Sequence, residues 1–341
     1  MDQSDTEWMV LYKEDERYQY GRLRPPDRQK LAESMKLQYQ CQHSVITTSG
    51  MHAIASLLHC LVQQNLSGSI VYGNELFCDT SKLIRNLPKI YRAKYDSFQI
   101  DVTDNDAIFK LFNNLHYSDK LVIMFIESCS NPNGFIFDWS IIPRLRSMVK
   151  KLVIVVDNTW LSSVCFNPLT HGADYVVTSL TKYYSGGNAI GGAIMTNRSV
   201  DDITNWIWSL NGIHISPVNA QIIAKHIMSL KQRIANCSNL VTKVLDAIKD
   251  HPAIAKLSHP NIESHPSHKH LHYLKYLPGV FTITVNTPIK KKLLKFLAKT
   301  ILSCMQHHLE VHEHELTHIQ KRLEHKPCSA LVLDIKMKQI I

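Results

Sequence analysis

Four apolar runs with almost no polar interruption constrain the fold of this chain more than any other feature. Residues 121–126 (LVIMFI) end at Glu127 and residues 152–156 (LVIVV) end at Asp157. A third run starts after Asp174 and ends at Ser179, and residues 189–196 make the fourth. None alternates apolar with polar, so neither face of the strand it forms meets water. Such runs, with helical stretches between them, predict a mostly parallel sheet covered on both faces. Residues 47–64 read as a helix capped by Thr48 or Ser49, with Ile54, Leu57, Leu58 and Leu61 on one face. Residues 69–72 read as a short strand and 141–150 as a helix. Ligands of such sheets bind at the carboxyl ends of the strands. The residues to consider are therefore Glu127, Asp157 and Ser179 through Lys182.

The pattern changes near residue 200. Residues 218–250 read as long helices, 251–272 as a loop region rich in His and Pro, 279–286 as an alternating strand, 289–305 as a helix and 329–335 as a last strand. With 341 residues, 45% of them hydrophobic, the chain has material for two domains. Its charge divides the same way. Residues 201–341 carry 18 Lys+Arg against 10 Asp+Glu, leaving 20 against 19 in the rest of a chain of net charge +9. The expected organisation is an N-terminal arm and intersubunit segment (1–45), a large domain (46–215) and a smaller α+β domain (216–341). The densest basic run, residues 290–299, interleaves lysines with Leu and Phe and reads as the solvated face of an amphipathic helix, not a nucleic-acid surface. The acidic first residues carry no secretory signal. No apolar run approaches the ~20 residues that span a bilayer. The eight cysteines include no CxxC pair. These features predict a soluble cytoplasmic protein with reduced thiols and no membrane partner.

The strongest chemical signal is VVDNT (155–159) followed by SLTKYYSGG (179–187), which puts Lys182 25 positions after Asp157. A lysine just past a buried strand sits where burial lowers the pKa of its amine and frees the lone pair for a carbonyl cofactor. A carboxylate at a neighbouring strand end suits a protonated ring nitrogen. Spacing alone leaves a second reading open, with Lys182 a surface lysine and Asp157 a helix cap.

Together with GGAIMT (191–196), these motifs resemble the Cys/Met-metabolism group of pyridoxal 5'-phosphate (PLP) enzymes, which includes cystathionine synthases and lyases and methionine γ-lyase. The resemblance runs from about Tyr20 to about Val285. It implies the aspartate-aminotransferase-like PLP fold, and a lyase or transferase acting on sulfur amino acids by β or γ elimination or replacement. It implies that Lys182 carries PLP and moves protons, that Asp157 pairs with the pyridine nitrogen, and that Ser179 and Thr181 bind the phosphate. Ser49, Gly50 and Met51 match a turn whose amides hold the phosphate at a helix start, although a lone Ser-Gly there is otherwise just a cap. Tyr72, in Val71-Tyr72-Gly73, matches a ring-stacking tyrosine that also assists proton transfer; the plain alternative is a core tyrosine. Asn131, in the segment from Glu127 to Pro132, matches a residue beside the ring hydroxyl. Tyr20 and Arg22 match a pair that reaches the neighbouring subunit's phosphate, which implies a homodimer or homotetramer with shared sites and an amino-acid substrate.

The likeness fails at the ends. Only 19 residues precede Tyr20, and between Tyr20 and Arg28 the residues Arg24, Pro25 and Asp27 depart from the family's loop. After Arg198 the only arginines are Arg233 and Arg322, so the late arginine that grips the substrate carboxylate is missing, or replaced by a lysine such as Lys336. A PLP-binding homologue with altered or lost substrate specificity is therefore a second reading. A third rests on His314-Glu315-Leu316-Thr317-His318, a literal HExxH that on a helix sets two imidazoles for zinc. The segment is crowded with His, and few ligands follow it. The His-rich region 251–272 is expected to be a structural loop and not a metal site.

Overall fold

A computed structural model describes residues 22–23, 25–115, 119–252, 254–285 and 330–334. Tyr20, Lys336, the basic run 290–299 and the HExxH segment lie outside the described residues. Seven strands form one sheet: β1 (His43–Thr47), β2 (Ser67–Gly73), β3 (Lys94–Ile100), β4 (Leu121–Glu127), β5 (Leu152–Asp157), β6 (Tyr175–Ser179) and β7 (Gly192–Thr196). Their order across the sheet is β1-β7-β6-β5-β4-β2-β3. The strands from β6 to β3 run parallel. β7 is antiparallel to both of its neighbours, which corrects the expectation of a fourth parallel run. A tight return through residues 180–191, not a helix, connects β6 to β7.

Helices α1 (Pro26–Tyr39), α2 (Gly50–Gln64), α3 (Cys78–Ile90), α4 (Asn105–Leu115), α5 (Ile142–Met148), α6 (Ser162–Cys165), α7 (Asp201–Thr204), α8 (Pro217–Ile227) and α9 (Leu230–Ile248) surround the sheet. Residue parity explains the unbroken apolar runs. Val122, Met124 and Ile126 of β4, with Leu152, Ile154 and Val156 of β5, pack among Leu31 and Met35 of α1, Ile223 of α8 and Val241 of α9. Leu121, Ile123 and Phe125, with Val153 and Val155, pack among Ile54, Leu57, Leu58 and Leu61 of α2. Each buried aliphatic side chain contributes roughly 1.5–3 kcal/mol, and here both parities of a strand contribute.

A second sheet, β8 (Ile254–Ser258), β9 (Val280–Val285) and β10 (Ala330–Asp334), is antiparallel in the order β10-β9-β8. The His-rich segment joins β8 to β9 and is structural where described. His259 donates from Nε2 to the Pro278 carbonyl and accepts the Asn261 N–H at Nδ1, both at 3.0 Å. His265 repeats the pattern with the Asn133 carbonyl and the Ser267 N–H. In each His-Pro-X triplet the proline offers no N–H, and the imidazole takes the next one. Among the described residues, no three His, Cys, Asp or Glu side chains gather where they could share a metal. None of the described helices is long and apolar enough to cross a membrane.

Burial pushes His259 down from 6.5 to about 4. Its neutral form is needed for both hydrogen bonds. Above pH 6.5 it is neutral folded or unfolded and adds no pH dependence. Below that, only the unfolded chain takes up the proton, so stability is lost as pH falls towards 4, by roughly 3 kcal/mol in all. Unfolding midpoints measured between pH 7 and pH 4 should therefore fall less for His259→Asn than for the unaltered protein.

Candidate active site

The carboxyl ends of the other strands and the amino end of β7 share one end of the sheet, and register lines them up. Thr47 pairs with Gly192, Gly192 with Ser179, and Glu127 with Asp157. Parity then selects the face. Tyr72, Glu127, Asp157 and Ser179 each stand an even number of residues from strand members of the α2-side cluster. All four therefore project on the side where α2 begins.

Ser49 caps α2 from extended backbone, and its Oγ accepts the His52 N–H at 3.1 Å. The helix start is driven hard against the sheet. A Cβ on Gly192 would lie 2.1 Å from the Ser49 carbonyl oxygen, and one on Gly50 would lie 2.8 Å from the Ser179 Cβ. No side chain fits at either position. The result is a concave helix N-terminus lined by Ser49, Gly50 and Ser179, the geometry that holds an anion on backbone N–H groups. Met51 is half-buried beside it and accepts from the Thr80 hydroxyl.

Asp157 is 9% exposed. Its Oδ1 accepts both the backbone N–H (2.9 Å) and the hydroxyl (2.6 Å) of Thr159, and the Thr159 Oγ1 accepts the Ser179 N–H (2.9 Å). Thr159 thus ties the carboxylate to the anion cradle. The sequence reading missed it, although a hydroxyl two residues after an Asp is the usual signature of a side chain bonding its own backbone turn. Burial pushes the Asp157 carboxyl up, and the two Thr159 donors pull it back.

Lys182 stands three residues past Ser179 in the return loop. The expectation that it is partly desolvated is not met, because its side chain is exposed. Among the described residues none covers Lys182, whereas the next four residues of the loop, 183–186, are buried. Its base is rigid. Ser185 N–H donates to the Leu180 carbonyl (2.9 Å), and the buried Arg233 of α9 donates to the Tyr183 carbonyl (2.6 Å). Gly186 and Gly187, at φ +61° and +81°, make the bend. The Thr181 hydroxyl is engaged within the loop by the backbone of Gly191, both contacts being 3.3 Å.

Tyr72 is 5% exposed within the α2-side apolar cluster. Asn131 is half-buried in the loop after β4. Glu75 fixes this loop, accepting from Ser130 Oγ (2.7 Å) and from the side chain of Asn133. The second sheet also holds the loop, through Thr282 Oγ1 on the Pro132 carbonyl at 2.7 Å. Arg22 is not in this row. Its guanidinium donates to the carbonyls of Trp208 and Ser209 of its own chain.

The constellation is a helix N-terminus shaped for an anion, a buried carboxylate tethered to it through Thr159, and an exposed amine three residues past Ser179. The too-tight glycines and the open oxygen of Asp157 fit a flat phosphorylated ring of the PLP type. Solved structures show the fold. Cystathionine γ-synthase from Xanthomonas oryzae pv. oryzae in complex with cystathionine superposes with a TM-score of 0.72 at 23% identity, covering 80% of this chain and 69% of that one. The apo methionine γ-lyase CalE6 from Micromonospora echinospora gives 0.73 at 20%, covering 84% and 76%. The chain belongs to the Cys/Met metabolism PLP-dependent enzymes, whose sequence profile matches residues 2–322. An L-methionine γ-lyase from Fusobacterium nucleatum subsp. polymorphum is 27% identical over 264 residues, 75% of this chain and 63% of that protein. A probable cystathionine γ-synthase from Herpetosiphon aurantiacus is 24% identical, over 74% of this chain and 76% of that protein. The chain thus spans under two thirds of the length of the first relative.

Proposed function

We propose that this protein is a PLP-dependent carbon–sulfur lyase or γ-synthase acting on a sulfur-containing amino acid of the cystathionine type. The observation that carries the reading is the row Ser49–Gly50, Gly192, Ser179 and Asp157 on one face of the sheet, tied together through Thr159. In this reading, Ser49, Gly50, Met51, Ser179 and Thr181 hold the phosphate. Asp157 keeps the ring nitrogen protonated, Tyr72 stacks on the ring and Asn131 lies beside its hydroxyl. PLP, when bound, supplies an electron sink that acidifies the α-carbon of an amino acid. Lys182 Nζ would anchor the cofactor and, as a free amine, would take the proton from the substrate α-carbon and hand a proton to the departing sulfur group. Tyr20 and Arg22 serve a neighbouring subunit's phosphate, so the active unit is a homodimer or homotetramer, placed in the cytoplasm. The large unit spans 46–215 and the smaller one starts at 216.

The test is keto-acid release from L-cystathionine, L-homocysteine and L-methionine by protein loaded with PLP. Release from one of them supports the reading. PLP capture without release from any of them favours the second reading, a cofactor-binding homologue with altered specificity.

A further inference from the structure

Two carboxyl groups, not one, stand at the cofactor end of the sheet. Glu127 and Asp157 are register partners on adjacent parallel strands and project on the same face. They are 5% and 9% exposed. Neither has a cationic partner among the described residues. Asp157 receives two donors from Thr159 on one oxygen. Glu127 receives the backbone N–H groups of Phe77, at 2.6 Å on Oε1, and of Asn131, while its Oε2 is buried without a hydrogen-bond partner. The other titratable groups facing Glu127 are Glu75, in the connection from β2 to α3, and the buried thiol of Cys129. Neither supplies positive charge.

Two buried like charges side by side do not both ionise, and the proton settles on the member that has a buried oxygen without a donor. We propose that the Glu127–Asp157 pair carries a single proton, held on Glu127 Oε2, so that the cofactor meets one negative charge instead of two. Glu127 is then a positioning residue. It keeps Asp157 as the sole anion opposite one ring cation, and protonation removes the buried charge that Oε2 would otherwise carry without a donor. The inference rests on the PLP reading for its purpose but not for its test. Burial and the neighbouring Asp157 charge both push the Glu127 carboxyl well up, in the same direction.

The test is infrared difference spectroscopy on the full chain at neutral pH, with and without PLP. The expected result is a protonated-carboxyl C=O band that disappears in Glu127→Gln. In Asp157→Asn the band should remain but be lost at a lower pH, because the repelling charge is gone. Stability gives an independent readout. A carboxyl raised on folding costs stability as pH rises from its unfolded value through its folded one, so Glu127→Gln should lack that decline. A band unaltered in Glu127→Gln, or no band at all, overturns the proposal. So does an unaltered pH slope of stability in that variant. The band and the slope are both read without cofactor, so their failure leaves the PLP reading standing. Failure of PLP capture in turn leaves the pair intact.

Discussion

Lys182→Ala abolishes covalent capture of PLP. Borohydride treatment of the PLP-loaded unaltered protein should fix the cofactor to the peptide containing Lys182, and the same treatment of the variant should fix none, as read by mass spectrometry. Turnover should fall by ~10²–10⁴-fold, the contribution of a well-placed acid–base group. The fold should be untouched. Lys182 is exposed and lies in a loop whose shape comes from Leu180, Ser185, the two bent glycines and Arg233. Removing its side chain costs no packing, so an unchanged unfolding midpoint separates the chemical loss from a structural one. Equal labelling of the variant would remove Lys182 from the site.

Asp157→Asn is the second large effect. The amide keeps a carbonyl oxygen where Oδ1 accepts the two Thr159 donors, so the tie to Ser179 survives. What is lost is the charge that, in the proposed function, keeps a ring nitrogen protonated. Removing one such preorganised electrostatic contact costs ~10²–10³-fold in turnover. Stability should hold or rise, since the variant removes a buried charge that has no cationic partner among the described residues. A variant with full activity would show that the ring is not held at this carboxylate.

Much of this site is legible in the sequence because its residues end apolar runs. Once LVIMFIE and LVIVVD are read as parallel strands, Glu127 and Asp157 must lie near one edge of a sheet. Their shared face follows only from register, which no single run discloses. The antiparallel β7 has the same composition as a parallel strand, and only the short return from β6 betrays its direction. Helix α1 escaped the reading because just Leu31, Met35 and Tyr39 of its face are apolar and buried, four residues apart. The exposure of Lys182 was illegible for a different reason: burial at a loop tip depends on what else covers it. The His-rich segment was expected to be structural, but its composition does not disclose how: His259 and His265 each take the N–H of the residue after the following proline.

During synthesis β1 leaves the ribosome long before the strand it pairs with. It is an edge strand joined to the sheet only through β7, so Thr47 waits for Gly192. The parallel block from β2 to β6 can assemble first, already displaying Asp157 and Ser179. The anion cradle cannot form then, because its other wall is the β1–α2 corner, which is seated only when Gly192 slips beneath the Ser49 carbonyl. Loop closure over so long a separation is slow. A nascent chain halted before β7 therefore has the carboxylate but not the cradle, and if the proposed phosphate site is right, cofactor uptake marks the moment the sheet closes.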